Sequence, residues 1–395
     1  MSRAVFLFNH DAAHQVAHLA RIAGAMARLH NEVETVVAYA SDVLRTKIEN
    51  LLDPEDTARI RWHELALPNV LGSVTGVLDR VAPATRLSRL RVHQPLFAES
   101  DAVISTERTC LRVKQRLDPK KGPLFIRVPH GTGDRSVTFH RDHRLFDLSL
   151  VAGLKMKEQL IVNGVDASKI EVTGYSKFEA IDLHSRPDFF GNDNPTFVYN
   201  PHFDPHLSSW YDAGPGLLRW FASQVGQNYN LIFAPHVMLF RKALHISPEY
   251  KVARVRPAIP KEASSASNIL IDVDGARLFD MSYMLAADGY IGDASSQLYE
   301  FLARPRPVFL LDPNSALESQ GAENLPFLAT GERFDSTARL GSALASWKAI
   351  GERYRDQQRQ LIAHTFALSD TPPSERAAHA IAGAIAQRKA ASRCA

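Results

Sequence analysis

Short apolar runs alternate along this chain with longer segments in which apolar residues recur every three or four positions. Residues 4–8 form the first apolar run, residues 14–29 show helical spacing, and residues 33–38 are rich in β-branched side chains. A short apolar run is typical of a buried strand, whereas recurrence at i, i+3 and i+4 is typical of an amphipathic helix. A strand, a helix and a second strand at this spacing predict a parallel α/β unit.

The same alternation continues beyond a polar stretch and predicts a second α/β unit. Residues 185–195 are rich in Pro, Asp, Asn and Gly, which favour turns and linkers. We therefore expect a Rossmann-like domain at 1–185, a second one at 195–345, and a helical tail at 346–395. Further strands are predicted at 61–65, 102–105, 124–128, 148–152, within 163–176, and at 196–199, 230–234, 269–272, 290–292 and 308–311, with a helix at 217–225.

Composition and charge narrow the class of protein. The chain has 395 residues, of which 45% are hydrophobic, so two domains with sizeable cores are expected. A net charge of +3 is too small to indicate nucleic-acid binding. Two cysteines, Cys110 and Cys394, do not make a disulfide scaffold or a cysteine zinc site. Neither a signal peptide nor an apolar run of about 18 residues is recognisable, so we expect a cytoplasmic protein.

Three of the predicted strands end in a Pro-His pair, and these pairs form the main candidate constellation. They place His130, His202 and His236 directly after a proline. Because open parallel sheets bind ligands at the carboxyl ends of their strands, we expect these imidazoles near a ligand. A histidine there can serve as a general base near neutral pH, and it can equally hydrogen-bond to its own loop. Gly131 follows His130, and a glycine lets the backbone approach a ligand closely.

A second candidate is the turn that follows the predicted strand 290–292. Asp293, Ser295 and Ser296 lie there, and helical spacing begins just after them. The first N–H groups of a helix, together with its dipole, favour an anion, and two hydroxyls add donors at the same place. Ordinary N-capping by Asp or Ser explains the same residues and is compatible with an anion site. The turn therefore predicts a site for a diphosphate.

Metal and serine-nucleophile chemistry have little support in the sequence. Residues 140–147 contain two histidines and two aspartates, but their spacing matches no strong metal signature, and we favour a loop with local charge pairs. Asp272 and Asp274 form an Asp-x-Asp pattern that we interpret as a turn. Neither a Gly-x-Ser-x-Gly elbow nor a Walker A motif occurs. We expect no metal and no cofactor.

Basic residues are concentrated in the segment 80–121, with apolar residues interleaved near its start. Such a face could contact anionic lipid headgroups or a polyanionic acceptor, and it could also be a solvated helix face. Membrane contact through the segment 80–121 is therefore a hypothesis. Its basic positions are Arg80, Arg86, Arg89, Arg91, Arg108, Arg112, Lys114, Arg116, Lys120 and Lys121.

With these residues in view, the chain resembles the CDP-glycerol glycerophosphotransferase family of teichoic-acid and capsule synthesis over about residues 120–312. The turn at His130 resembles the family's His-Gly turn, and His236 resembles its second histidine. The chain departs from the family pattern where Pro129 replaces a tryptophan, Ala294 replaces a tyrosine, and proline precedes His236 instead of following it. The remaining resemblances lie at Gly174-Tyr175-Ser176-Lys177, at Asn200-Pro201-His202, and at Asp293-Ala294-Ser295-Ser296 with Glu300 beyond it.

The resemblance implies an α/β fold of GT-B architecture, with two Rossmann-like domains facing a cleft and helices at the C-terminus. It also implies transfer of glycerol phosphate, or a related polyol phosphate, from CDP-glycerol or another nucleotide-activated donor. The acceptor would be a hydroxyl on an envelope glycan or lipid, at the inner face of the plasma membrane, and no nucleic acid is involved. His130 would be the general base and His236 a cationic donor to the phosphates. The implied donor-binding residues are Gly131, Tyr175, Ser176, Lys177, Asn200, His202, Pro235, Asp293, Ser295, Ser296 and Glu300.

Two alternatives stay open from the sequence. The same architecture serves glycosyltransferases that use a UDP-, GDP- or CMP-linked sugar, and it serves UDP-sugar 2-epimerases. A non-catalytic scaffold that binds a lipid or a polymer is the other alternative.

Overall fold

The computed structural model describes residues 1–10, 13–68, 72, 75, 79, 83–119, 121–134, 140–321 and 324–394. The chain forms two compact units. The first unit comprises Met1–Ala180 together with His364–Ala395, and the second comprises Ile181–Ala363. Among the described residues, no helix combines the length and the apolar character that a membrane span requires.

The first unit contains a parallel sheet of seven strands. These are β1 (Ser2–Phe8), β2 (Val33–Tyr39), β3 (Arg61–Glu64), β4 (Ala102–Ser105), β5 (Leu124–Arg127), β6 (Leu148–Val151) and β7 (Ile170–Val172). Their order across the sheet is β3-β2-β1-β4-β5-β6-β7. Phe6 packs into one core cluster while Val5 and Leu7 pack into another, because alternate side chains of a strand point to opposite faces. With both faces covered, β1 is a continuous apolar run.

The second unit contains a parallel sheet of six strands and a separate antiparallel hairpin. The sheet strands are β8 (Thr196–Asn200), β9 (Asn230–Phe233), β12 (Ile269–Ile271), β13 (Gly289–Gly292), β14 (Val308–Leu311) and β15 (Glu332–Phe334), and the hairpin strands are β10 (Leu244–Ser247) and β11 (Val252–Val255). The order across the sheet is β12-β9-β8-β13-β14-β15. An aromatic core covers one face of this sheet and includes Phe197, Trp210, Phe221 and Phe309.

The α-helices pack against these sheets. They are α1 (Ala20–Leu29), α2 (Asp42–Glu49), α3 (Pro54–Arg59), α4 (Ala84–Val92), α5 (Gln94–Ala98), α6 (Leu111–Lys114), α7 (Leu154–Val162), α8 (Gly214–Ala222), α9 (Lys261–Ser265), α10 (Ser282–Ala286), α11 (Gln297–Leu302), α12 (Thr337–Ala343), α13 (Trp347–Thr365) and α14 (Pro373–Cys394). Short 3₁₀ helices occur at Ala13–His18, Arg108–Cys110, Arg141–Leu145, Ala167–Lys169, Ser176–Ala180, Ser209–Tyr211, Gly226–Asn228, Ala276–Leu278, Glu318–Gln320, Pro326–Thr330 and Leu344–Ser346.

The C-terminal helical segment is shared between the two units. The helix α13 begins in the second unit, whereas its last two residues, His364 and Thr365, belong to the first. In α14, Ala377, Ile381 and Ile385 are buried in the same core cluster as α1. The end of the chain therefore completes the core of the first unit.

The apolar runs of the sequence locate the sheet strands well, and the helical spacing locates α8 within a few residues. Two features are absent from the sequence prediction, namely the hairpin β10–β11 and the edge strand β15. Residues 14–29 also differ from the expected single helix, because 3₁₀ geometry at Ala13–His18 precedes α1.

Candidate functional site

The strand order of the second unit reverses at β8. From this strand the sheet continues through β9 and β12 on one side and through β13, β14 and β15 on the other. This is the doubly wound order, in which ligands bind at the carboxyl ends of the strands where the order reverses. The segments that follow β8, β9 and β13 contain His202, His236 and Asp293, so three of the predicted candidates share this edge of the sheet.

Asp293 is the buried centre of this edge. Its Oδ1 accepts a hydrogen bond from the backbone N–H of His202 at 2.8 Å. Its Oδ2 accepts from the backbone N–H of Ser209 at 2.6 Å and from the Ser209 hydroxyl at 2.7 Å. The side chain is fully buried. The carboxylate therefore fixes the segment 202–209 to the end of β13.

Burial raises the pKa of Asp293 to about 7, while the hydrogen bonds from Ser209 and His202 act in the opposite direction. Desolvation disfavours the charged carboxylate, and hydrogen bonds to it favour that charge. The carboxyl group thus titrates in the neutral range while it holds the loop in place.

Asn200 and Ser295 connect all three strand ends. The Asn200 amide donates to the carbonyl oxygen of Ala234 at 2.6 Å, and the Ser295 hydroxyl donates to Asn200 Oδ1 at 2.7 Å. Both side chains are buried, and the Tyr290 hydroxyl lies 3.3 Å from Asn200 Oδ1. A serine hydroxyl has one hydrogen, and that of Ser295 is donated to Asn200. In this geometry Ser295 supports the turn.

The rings of His202 and His236 use the same nitrogen, Nδ1, to accept a hydrogen bond from the backbone. Nδ1 of His202 accepts from the backbone N–H of Asp204 at 3.0 Å, and Nδ1 of His236 accepts from that of Met238 at 3.2 Å. An acceptor nitrogen must keep its lone pair, so the hydrogen of each neutral ring lies on Nε2. The two ring centroids are 5.2 Å apart, and the Phe203 ring contacts both. These contacts fix the orientation of both rings, and His202 is buried.

The start of α11 adds an exposed hydroxyl to this edge. Ser296, directly before the helix, is exposed, whereas Glu300 within it is buried. Glu300 and Gln297 line a small cavity together with Ala234, which lies at the end of β9. Pro235, directly before His236, is buried and fixes the backbone there. Ser296 is thus the serine of this turn whose side chain faces solvent.

The first unit has an equivalent reversal at β1, which lies between β2 and β4. Asn9 and His10 follow β1 and are buried, as is Thr106 after β4. His130 follows the next strand, β5, and its side chain is exposed. Its Nδ1 lies 3.4 Å from the carbonyl oxygen of Thr106. The His-Gly turn predicted from the sequence therefore lies one strand away from the switch point.

The environment of His130 favours its neutral form. Although part of the residue reaches solvent, burial of the ring lowers the pKa of His130, and the positive charge of Arg127 lowers it further. Among the described residues other than its two chain neighbours, no heavy atom lies within 4 Å of the place that a Cβ on Gly131 would take. A neutral imidazole can accept a proton at neutral pH, which is the property of a general base.

A buried ion pair holds the loop that follows His130. The Lys155 ammonium donates to the Asp134 carboxylate at 2.7 Å and to the carbonyl oxygen of Thr132 at 2.6 Å. The side chains of Lys155 and Asp134 are only 4% and 1% exposed. The ion pair therefore fixes the glycine-rich turn to the start of α7.

The residues considered for metal binding make contacts within the protein. Arg127 donates to Nε2 of His143 at 2.7 Å, and burial lowers the pKa of His143 to about 3. Asp272 accepts from the backbone N–H of Gly275 and from the Tyr283 hydroxyl, as in a closed turn. The described residues contain no group of three or more His, Cys, Asp or Glu side chains that could hold a metal ion.

The predicted donor-binding residues Tyr175, Ser176 and Lys177 belong to the first unit, whereas the Asp293 turn belongs to the second. The Tyr175 ring packs against Phe178 and Phe366. The Ser176 hydroxyl donates to the carbonyl oxygen of His18 at 2.8 Å, and Lys177 is buried. A role for these three residues in donor binding stays a prediction.

Sequence reasoning missed the residues that hold the edge together. Ser209 lies 84 positions from Asp293, and no motif marks it. Phe203 directly follows the Pro201-His202 pair, and this position is a sequence signal that could have identified it. Gln297 occupies the first position of α11, where its side chain donates to the carbonyl oxygen of Leu278.

Comparisons with known proteins bear on this fold. No protein-family model matches the sequence, and a search of curated proteins finds no match. Among solved structures, the wall teichoic acid polymerase TagF superposes with a TM-score of 0.62 at 14% identity, covering 98% of this chain and 89% of that chain. A UDP-N-acetylglucosamine 2-epimerase superposes with a TM-score of 0.58 at 12% identity, covering 96% and 94%. S. aureus MnaA with UDP gives 0.56 at 13% identity, covering 97% and 95%.

The chain therefore has the GT-B-type fold, with two parallel-sheet α/β domains and C-terminal helices. This confirms the fold class predicted from the strand pattern and from the resemblance. Because the fold is shared by a polymerase and an epimerase, the choice between activities depends on the residues of the site.

Proposed function

We propose that this protein is a GT-B-type transferase that moves glycerol phosphate, or a related polyol phosphate, from a CDP-activated donor to an acceptor hydroxyl in envelope glycan or lipid synthesis. The observation that carries the proposal is the pair His202 and His236, whose Nε2–H groups are oriented at the switch point of the second unit. Two fixed donors of this kind suit the oxygens of a diphosphate.

The second unit holds the donor in this proposal. His202 and His236 donate to the diphosphate through Nε2, and Ser296 donates from the start of α11. Because Nδ1 of His236 accepts from the backbone N–H of Met238, the hydrogen of the neutral ring lies on Nε2. Asp293, Asn200 and Ser295 act by positioning these donors. The donor-binding residues predicted from the sequence thus fall into two groups. Some contact the donor, and the others position those that do.

The first unit supplies the base in this proposal. His130 accepts the proton of the acceptor hydroxyl, and the oxygen attacks the β-phosphorus of the donor. A new oxygen–phosphorus bond forms, the bond to the bridging oxygen breaks, and CMP leaves with the electron pair. Hydrogen bonds from His202 and His236 stabilise the charge that develops on the leaving phosphate. The lowered pKa of His130 supports its role as a base at neutral pH.

A nucleotide-sugar enzyme is the second candidate. It is supported by the superposition on a UDP-N-acetylglucosamine 2-epimerase and by that on S. aureus MnaA in a structure with UDP. The first candidate, with its CDP-activated donor, is supported by the likeness to TagF, a variant of which was soaked with CDPG. Both candidates use the same phosphate donors in the second unit and differ in the base and in the transferred group.

A ligand panel separates these candidates. The melting temperature of the purified protein is measured with CMP, CDP, UDP, CDP-glycerol and UDP-N-acetylglucosamine, because a ligand that binds the native state raises it. We expect a shift with cytidine nucleotides that is lost in His236→Ala, and release of CMP from CDP-glycerol. A shift with uridine nucleotides alone, with release or epimerisation of a UDP-sugar, would replace the proposal by the second candidate.

A further inference from the structure

The hairpin β10–β11 has its polar and apolar faces reversed relative to a normal surface hairpin. Leu244 pairs with Val255 and Ile246 pairs with Ala253, so these four residues share one face, which we call the outer hairpin face. Leu244, Ile246 and Val255 are 51%, 63% and 72% exposed, and Ala253 is also exposed. A one-residue change in register would exchange the two faces, so the pairing itself determines this exposure.

The opposite face of the hairpin is polar and is held by the protein. His245 is buried and its Nε2 contacts the carbonyl oxygen of Leu239 at 3.0 Å. Ser247 donates to the Asp204 carboxylate at 2.8 Å. Arg254 binds both carboxylate oxygens of Asp212. These contacts fix the direction of the hairpin, so the apolar face cannot turn inward without breaking them.

An exposed sheet face of this composition indicates a binding surface. Single exposed apolar residues are common, but contiguous ones on the face of a two-stranded sheet form a patch of the kind that marks interaction sites. Natural proteins usually protect such hairpins with charged residues because exposed edges pair with other chains. Here the charges lie around the patch instead of within it.

The charge around the outer hairpin face is positive. The segment 241–256 contains five basic residues and one acidic residue, Glu249. Arg254 faces Asp212, whereas Arg241, Lys242 and Lys251 are exposed. An apolar centre with a cationic rim is complementary to an anionic bilayer, where acyl chains accept the apolar side chains and headgroups face the cations.

We propose that the outer hairpin face is a membrane-docking surface that binds anionic lipid headgroups. The proposal does not depend on which nucleotide the second unit binds. It does extend to the site, because Ser247 holds Asp204 and the Asp204 N–H holds the ring of His202. A docked hairpin would therefore bring the His202 loop close to a membrane-borne acceptor.

The basic segment predicted from the sequence is a weaker candidate for this role. Arg86 pairs with Glu107 at 2.6 Å, and Lys114 pairs with Asp147 at 2.7 Å. Carboxylates of the protein thus neutralise part of that segment. Arg80 and Lys120 lie outside the described residues.

The test is co-sedimentation of the full chain with vesicles of phosphatidylcholine alone or mixed with phosphatidylglycerol. We expect binding to the mixed vesicles that weakens with salt. In the triple variant Leu244→Thr, Ile246→Thr, Val255→Thr, binding falls by about tenfold or more, because each buried CH₂ contributes to membrane affinity. The matched control replaces three exposed valines elsewhere, Val43→Thr, Val162→Thr and Val225→Thr, and leaves binding unchanged.

Variants of exposed charged residues test membrane binding without changing the apolar residues of the hairpin. Arg241→Glu with Lys242→Glu leaves the apolar face intact and is expected to lower binding to the mixed vesicles about tenfold or more. Arg91→Glu with Arg112→Glu, in the segment 80–121, has little effect. Three results would overturn the proposal: no vesicle binding by the unmodified chain, loss of binding only in the Arg91/Arg112 variant, or sedimentation showing a dimer that the threonine variant dissociates.

Discussion

The two units place a histidine at the same edge of similar sheets, but they prepare it for different chemistry. In the second unit, backbone N–H groups at Nδ1 fix His202 and His236 as Nε2–H donors above a fully buried Asp293. In the first unit, burial of the His130 ring and the positive charge of Arg127 lower its pKa. The difference teaches that strand topology selects where a histidine lies, while its hydrogen-bond partners select what it can do.

The interactions that hold the loops at the two sheet edges also differ. A neutral network of Asn200 and Ser295 holds the second edge together with Asp293, whereas the ion pair of Lys155 and Asp134 holds the first. Both supports are buried. Substitution in each unit should therefore separate loss of chemistry from loss of structure.

The largest effect is expected for His130→Ala. If His130 is the base, turnover falls by about 10²–10⁴-fold, while the melting-temperature shift with nucleotide is retained. The pH profile of kcat/KM should rise through a pKa below 6.5 in the unmodified enzyme, because the neutral ring is the active form and its pKa is lowered. His184→Ala removes an exposed histidine and serves as the control. Retention of full turnover in His130→Ala would show that His130 is not the base.

The next effect is on stability in the first unit. Lys155→Ala leaves the buried Asp134 without its cation, and we expect a loss of about 3–5 kcal/mol in the free energy of unfolding. Lys157→Ala, two positions along α7 and half-exposed, should change it by less than about 0.5 kcal/mol. Urea unfolding measures both. Equal stability of the two variants would show that the ion pair does not hold the loop.

In the second unit, Asp293 should make stability depend on pH. Its folded pKa of about 7 lies above the ordinary value of 3.8, so the folded state retains a proton that the unfolded state has lost. Its contribution therefore favours folding less as pH rises from 3.8 to about 7, with a slope of up to about 1.4 kcal/mol per pH unit. Asp293→Asn should remove this slope and also cost about 1–3 kcal/mol, because its amide opposes the Ser209 donors. Urea unfolding at several pH values tests this, and an unchanged slope would contradict it.

The smallest effect is expected for Ser296→Ala. Loss of one hydroxyl that donates to a charged phosphate should weaken nucleotide binding by about tenfold without changing the melting temperature of the free protein. Ser264→Ala, an exposed serine of the same unit, is the matched control. Ser295→Ala should behave differently, lowering the melting temperature because Asn200 loses its donor. If Ser295→Ala and Ser296→Ala gave the same result, the division into binding and positioning serines would be wrong.

Much of the fold could be predicted because parallel strands buried on both faces are continuous apolar runs. Residues 4–8, 102–105 and 308–311 show this directly, and each is a strand in the structure. The hairpin β10–β11 could not be predicted in this way. Its Leu244, Ile246 and Val255 are exposed while its His245 and Ser247 are buried, so the usual relation between polarity and burial is reversed.

The sequence by itself determined the strand-end positions of His130, His202 and His236, since a Pro-His pair after an apolar run marks the end of a strand. It also determined that Asp293 and its serines follow a buried strand. Only the tertiary structure decided which of these groups hold the loops and which present donors, because Ser209, Asn200 and Asp293 meet through long-range contacts. The outward direction of the hairpin was decided in the same way, by the buried hydrogen bond of Ser247 to Asp204 and the ion pair of Arg254 with Asp212, which no local pattern encodes.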